Sequence, residues 1–233
     1  MKNRFALLFS ILLCNGTLSF QGLKTLQVNF ERYYIEKGSE EIVTGSIYYQ
    51  TPHKITVVVT NPIRQWMIFE DKQITIYYPD ERKVFQIVTQ YPVSLPFFQS
   101  FVGVVKEDYG LTDIGYVLSN YETKGDTLIS YWTSPQKGGK VRGEFMLIYV
   151  SNKIVYVELK NSEKTVMGKS FYENHIRYGA TYFPLQVSTT RYRETDSTFE
   201  KVIYANPQFN TELPQEVKDF KIPLDAEIKE IEW

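Results

Sequence analysis

Two histidines, one cysteine and a Gly-Lys-Ser triplet are the residues of this 233-residue chain whose types could bind a metal, attack a carbonyl or hold a phosphate. His53 lies in the turn-like TPHK and His175 in ENHIR, and neither has a second His or Cys at metal-ligand spacing. The triplet Gly168-Lys169-Ser170 lacks the leading glycine of a phosphate loop, because residue 163 is Glu163. It also sits in a strand-like stretch, whereas a phosphate loop must open a helix so that its N–H groups converge on the anion. No G-x-S-x-G elbow or H-E-x-x-H pair occurs. Nothing in the sequence brings two carboxylates into a catalytic pair. The inventory points to a protein that is not an enzyme and needs no cofactor or metal.

Charge excludes a second class. There are 26 basic and 27 acidic residues with no cluster of Lys or Arg, so no concentrated positive surface is available for nucleic acid. The N-terminus has the marks of a secretory signal: Lys2 and Arg4, an apolar run from Phe5 to Leu13, and small residues at Thr17 and Ser19. Cleavage near Ser19 divides the chain into a signal at 1–19 and one domain at 20–233. Cys14 falls within the signal, and Leu13 before it does not suit lipoprotein processing. The mature chain then carries a net charge of about −3 and no cysteine, so its stability must come from a core.

That core is expected to be made of strands. Aromatic residues form 15% of the chain, with 18 Tyr and 15 Phe, which favours β-structure. From Leu26 onward, short β-rich runs such as LQVNFERYYI, KITVVVT, QITIYY and KIVYVELK alternate with turn signals such as YPDER, SPQKGG and NSEK. About eleven such runs, too closely spaced for parallel crossovers, predict one antiparallel sheet. Within KITVVVT, Ile55, Val57 and Val59 share a face, as do Ile74 and Ile76 in QITIYY. WMIFE and EFMLIYV are apolar on both sides and predict central strands with extra cover. The acidic, mixed DAEIKEIEW reads as a solvated end.

One segment breaks the rhythm. QYPVSLPFFQSFVGVV, residues 90–105, is greasy where a polar loop belongs. Pro96 suits a first helical turn, and Phe97, Phe98, Phe101, Val104 and Val105 follow at helical spacing. A second short helix is expected over Leu111 to Leu118, with Thr112 as N-cap. A sheet of about eleven strands curls as its twist accumulates, and a concave apolar face needs cover. The expected fold is therefore mainly β: an unclosed barrel from a single curled sheet, its concave face capped by short helices within residues 95–119.

The order of elements resembles the LolA-like periplasmic lipoprotein carriers and the related outer-membrane lipoprotein-sorting proteins. Phe30, Gly45, Tyr48, Pro52, Pro62, Asp71, Tyr77, Tyr78 and Pro79 occupy the family's strand and turn positions, LPFFQSFVGVV stands where the family carries a lid helix, and Phe220 to Pro223 matches its Phe-x-x-Pro ending. Only FQGLKT is available for the helix that usually precedes the first strand, which leaves the segment around Phe97 as the main lid. The resemblance implies a monomeric periplasmic carrier of lipoprotein acyl chains. Its partners would be lipidated proteins, an inner-membrane lipoprotein-releasing transporter and an outer-membrane acceptor. A divergent lipid-binding or envelope signalling protein on the same scaffold is the alternative.

On this reading the cavity walls are Val57, Val59, Trp66, Ile68, Ile74, Ile76, Tyr131, Phe145, Leu147, Val155 and Val157, and the lid is Phe97, Phe98, Phe101 and Val104. Periodicity alone equally allows each wall residue to be permanent core.

Overall fold

The structure, a computed structural model, describes residues 23–51, 54–70, 73–88, 108–134, 143–179 and 181–232. Residues 1–22, where the export signal is expected, His53 and the greasy segment 90–105 lie outside the described residues. The described residues form fourteen strands: β1 (Thr25–Glu36), β2 (Ser39–Gln50), β3 (Lys54–Asn61), β4 (Gln65–Glu70), β5 (Gln73–Tyr78), β6 (Lys83–Val88), β7 (Val117–Lys124), β8 (Thr127–Thr133), β9 (Glu144–Val150), β10 (Lys153–Lys160), β11 (Val166–Tyr178), β12 (Thr181–Tyr192), β13 (Ser197–Phe209) and β14 (Glu227–Glu232). A single helical turn, α1 (Gln215–Lys218), precedes β14.

All fourteen strands belong to one sheet in the order β14-β6-β5-β4-β3-β2-β1-β13-β12-β11-β10-β9-β8-β7, with β14 and β7 as its two free edges. The sheet does not close into a barrel. Its hairpin logic is local almost throughout, and β1 is the hinge of the topology, pairing with β2 on one side and with β13 on the other. The β1–β2 turn places Lys37 at φ 50 and Gly38 at φ 78, the left-handed pair that a two-residue hairpin with right-twisted strands requires. Gly45 on β2 is needed for a different reason. A Cβ there would stand 2.1 Å from the Val58 carbonyl oxygen, at the point where the β2–β3 register shifts.

Pairing registers sort the side chains onto two faces. One row runs Val28–Ile47–Val57–Met67–Ile76 across β1 to β5, and the adjoining row runs Leu26–Tyr49–Ile55–Phe69–Ile74–Ile87 across β1 to β6. This face, here the inner face, continues through Val202, Val187 and Tyr172 to Val157 and Leu147, and it carries the main core. Each fully buried aliphatic side chain in it contributes about 1.5–3 kcal/mol. A single sheet that buries one face over so many strands has to curl around that face.

Three expectations are corrected. The sheet has fourteen strands among the described residues, not about eleven. Residues 111–118 form no helix. Tyr109, Gly110 and Gly115 adopt positive φ of 60, 70 and 85, which no helix tolerates, and Val117 already opens β7. In its place a compact turn is built on Asp108, whose carboxylate accepts from the Gly110 and Thr112 N–H groups at 2.9 and 3.2 Å. Finally, EIKEIE is no loose end: it pairs with β6 as β14, and in parallel, so the sheet is not purely antiparallel.

The segment between β13 and β14 accounts for that last difference. Leu213, Val217 and Phe220 cross the outer face of β2 to β5, with Leu213 and Val217 in a cluster with Tyr48, Val58 and Trp66, and with Phe220 stacked on Trp66 at 4.6 Å and tilted against Tyr77 at 5.9 Å. Having crossed, the chain lies beside β6, where Arg82 bonds Asp225 at 2.8 Å and the Glu227 N–H donates to the Arg82 carbonyl.

Candidate ligand-binding face

The residues that could do chemistry resolve into structural roles. His175 lies on β11 and bonds the Ile154 carbonyl through Nε2 at 2.7 Å. Burial lowers its pKa, and the nearby Lys153 lowers it further against the opposing effect of that hydrogen bond. Gly168, Lys169 and Ser170 are consecutive residues of the same extended strand, not a phosphate loop. Among the described residues no group of three or more His, Cys, Asp or Glu could hold a metal ion.

The apolar face tells more. Val57, Val59, Ile74, Ile76, Phe145, Leu147 and Val157 all project from the inner face into one continuous cluster. The structure places the other described wall residues elsewhere. Trp66 and Ile68 stand on the outer face of β4, opposite to Met67 and Phe69, and Trp66 is the seat of Phe220. Tyr131 shares the outer face with its partner Met146, while Ser130 and Trp132 point inward beside Leu147 and Phe145. Val155 falls in the bulge of β10 between Ile154 and Tyr156, and it is Ile154 that joins the core. The lid residues Phe97, Phe98, Phe101 and Val104 lie outside the described residues.

Several inner-face residues escaped the sequence reading. Leu26, Val28 and Phe30 alternate in LQVNF, and that period was available as a signal. Tyr109, from the Asp108 turn, rests on this face with its hydroxyl bonded to that of Tyr172 and its ring edge-on to the Tyr172 ring. Tyr116 of the same turn packs edge-on to Phe145 at 5.0 Å. Tyr204 is buried nearby. Burial, then the charge of Glu200 and the proximity of Tyr109, push its hydroxyl far above the usual tyrosine range, so it is neutral.

The inner face is not uniform along the strands. One end, at Leu26, Phe69, Ile74 and Phe209, is apolar. Toward the other end a polar row crosses neighbouring strands: Tyr34 on β1, Glu200 on β13, Thr189 on β12 and Ser170 on β11. Ser170 and Thr189 share a 2.9 Å hydrogen bond. Glu200 is only 3% exposed and accepts from Arg32 Nε at 2.8 Å, with Arg191 Nη2 at 3.6 Å. Arg32 also lies over the Tyr34 ring at 4.8 Å.

The outer face of the β7–β11 half has a separate polar centre. Tyr156 donates to Glu158 at 2.7 Å, and Lys160 and Lys169 stand 3.1 and 3.9 Å from the same carboxylate. Burial pushes the Glu158 carboxyl up, but the Tyr156 hydrogen bond and the two lysines pull it below the usual range. A surface depression of about 460 Å³ beside the β7–β8 hairpin is lined by Glu122, Thr123, Lys124, Thr127 and Ile129.

A mainly β protein built on one large unclosed sheet, with an apolar inner face, is the class that fold and face define. Compared by sequence, the chain matches no family model and no curated protein. Compared by structure, it is similar to a LolA superfamily protein from Nitrosomonas europaea, with a TM-score of 0.54 and 15% identity over 84% of this chain and 90% of that one. It is similar to a putative outer membrane lipoprotein-sorting protein domain from Vibrio parahaemolyticus, with a TM-score of 0.58 and 9% identity over 85% and 91%. A DUF1329 family protein from Desulfovibrio piger gives a TM-score of 0.60 at 12% identity over 86% and 91%. The fold expected from the sequence is thus the fold these proteins share.

Proposed function

We propose that this chain is an exported envelope protein that binds acyl chains against the inner face of its sheet and carries lipoproteins toward the outer membrane. One observation carries the reading: a continuous apolar face, with Val57 and Leu147 fully buried in it, on a sheet that does not close. Each CH₂ withdrawn from water contributes about 0.8 kcal/mol, so a trough of this kind offers a long chain a large part of what a bilayer offers. The fold shared with a lipoprotein-sorting domain supports lipidated proteins as the cargo. On this reading residues 1–19 are the export signal and residues 20–233 a monomeric carrier domain. An inner-membrane releasing transporter and an outer-membrane acceptor are its partners, and the activity is binding, not catalysis.

A second reading, free lipid as cargo on the same scaffold, is favoured by the polar row at one end of the face. The test for both is titration of the purified mature protein with a fluorescent fatty acid, together with mass spectrometry of hydrophobic material that co-purifies from the envelope. Saturable binding and co-purified acyl chains are the expected result. A protein that takes up no probe and carries no lipid overturns the carrier reading.

A further inference from the structure

The inner face has a direction along its strands, apolar at one end and polar at the other. From Leu26 to Tyr34 along β1 is eight residues, about 26 Å of extended strand. One leaflet of a bilayer's hydrocarbon is about 15 Å thick, half of its ≈30 Å core, so the face is longer than a chain alone needs. The surplus lies at the polar end. There Glu200 is buried, while Arg32 and Arg191, which pair with it, are 18% and 30% exposed and so are the more accessible side of the group.

A buried carboxylate with two arginines is a poor way to stabilise a core, because desolvation of the charges offsets most of their attraction. The hydroxyls of Ser170 and Thr189 continue the polar row on adjacent strands, where every apolar alternative would have suited a closed core. Glu36 and Glu41 project from the same face of β1 and β2, and Glu36 bonds Arg193 at 2.9 Å. Arg32 and Arg191 pair with Glu200 and Arg193 pairs with Glu36, so these arginines meet a head group as hydrogen-bond donors whose charge is already matched. Each guanidinium has five N–H donors, a geometry that suits carboxylate, phosphate or ester oxygens.

We propose that the inner face is an oriented amphiphile site: the hydrocarbon chain lies toward Leu26, Phe69 and Ile74, and an oxygen-rich head group is held by Arg191 and Arg32 beside Glu200. The inference rests on acyl chains occupying this face and adds which way they lie and what they end in.

Trp132 provides an internal reporter, since it stands on the inner face at the polar end, with Nε1 donating to Ser130 at 3.0 Å. In a Trp66→Phe, Trp233→Phe protein, stearate spin-labelled at carbon 5 quenches Trp132 more strongly than stearate labelled at carbon 16. Should that variant fold poorly, the same ordering is read from the parent protein as the quenching lost on Trp132→Phe. Arg191→Gln, which leaves Glu200 its closer partner Arg32, weakens stearate binding by about tenfold and reduces the difference between the two labels. Competition among palmitate, palmitoyl glycerol and palmitoyl lysophosphatidic acid ranks carboxylate, ester and phosphate heads on one chain. Equal or reversed quenching, or identical competition by all three heads in parent and Arg191→Gln proteins, overturns the oriented site while immobilised spin labels still uphold acyl-chain binding. Freely tumbling labels on both probes overturn the two together.

Discussion

The two halves of the sheet differ in how many of their faces are used. In β3, β4 and β5, neighbouring residues are buried in runs, Ile55-Thr56-Val57, Met67-Ile68-Phe69 and Ile74-Thr75, because the core covers one face and the segment bearing Leu213, Val217 and Phe220 covers the other. Across β7, β8 and β9 the pattern thins: β7 is exposed throughout, and Ser130 and Leu147 are the buried residues of β8 and β9. One half is a middle layer and the other a wall with solvent behind it. Apolar character on both sides of a strand therefore reports a covering segment in β4 but not in β9, where Met146 and Ile148 face outward half-buried.

The sharpest way to break this contrast is to remove the cover. Deleting residues 211–233 exposes Tyr48, Trp66 and Tyr77 and costs roughly 5 kcal/mol or more, at about 1.5–3 kcal/mol for each buried apolar side chain lost. Urea denaturation should show a large fall in midpoint, and Trp66 fluorescence should shift to the red. A deletion variant as stable as the parent would mean that the outer seat of β2–β5 is incidental.

Neighbouring residues on β9 sharpen the contrast at intermediate scale. Leu147→Ala should cost about 3 kcal/mol, since Leu147 is fully buried on the inner face. Met146→Ala, on the outer face of the same strand, should cost less than about 1 kcal/mol. Equal losses in thermal melts of the two variants would erase the difference between the faces of this half.

The smallest effect is electrostatic and belongs to the outer face of the wall. The folded pKa of Glu158 lies below its unfolded value of about 4.3. Its stabilisation is therefore complete above about pH 5 and is lost as pH falls through the folded pKa. The contribution is less than about 1 kcal/mol in this partly screened setting. Stability followed from pH 6 to pH 3 should decline less steeply in Glu158→Gln than in the parent, and an unchanged slope would show that the Tyr156, Lys160 and Lys169 contacts carry no net preference for the charged form.

Much of the fold was legible because alternation is a local property. Val57 with Val59 and Ile74 with Ile76 announced an inner face, and the closely spaced turns announced antiparallel pairing. What periodicity does not contain is which of two faces looks inward when both are apolar, and Trp66, Ile68 and Tyr131 were assigned to the wrong one. Val155 was displaced by a bulge, a single extra residue that turns the following side chains over. The turn at Asp108 imitated a helix because Ile114, Val117 and Leu118 have helical spacing, while the positive φ at Tyr109, Gly110 and Gly115 is set by backbone and not by hydropathy. The polar row was hidden for another reason. Arg32 and Glu200 share their parity with apolar neighbours on their own strands, but their meeting depends on β1 pairing with a strand 168 residues away.

The parallel union of β14 with β6 also bears on the order of assembly. Arg82 and Asp225, which join at this edge, are 143 positions apart, so a chain that folds from its amino-terminal end presents β6 as an unfinished ladder of N–H and C=O groups until β14 arrives. Throughout that interval the nascent molecule can recruit any extended peptide that matches the vacancy. Chains that end near residue 210 accordingly lack the strand that covers this edge, and pairing with EIKEIE supplies it.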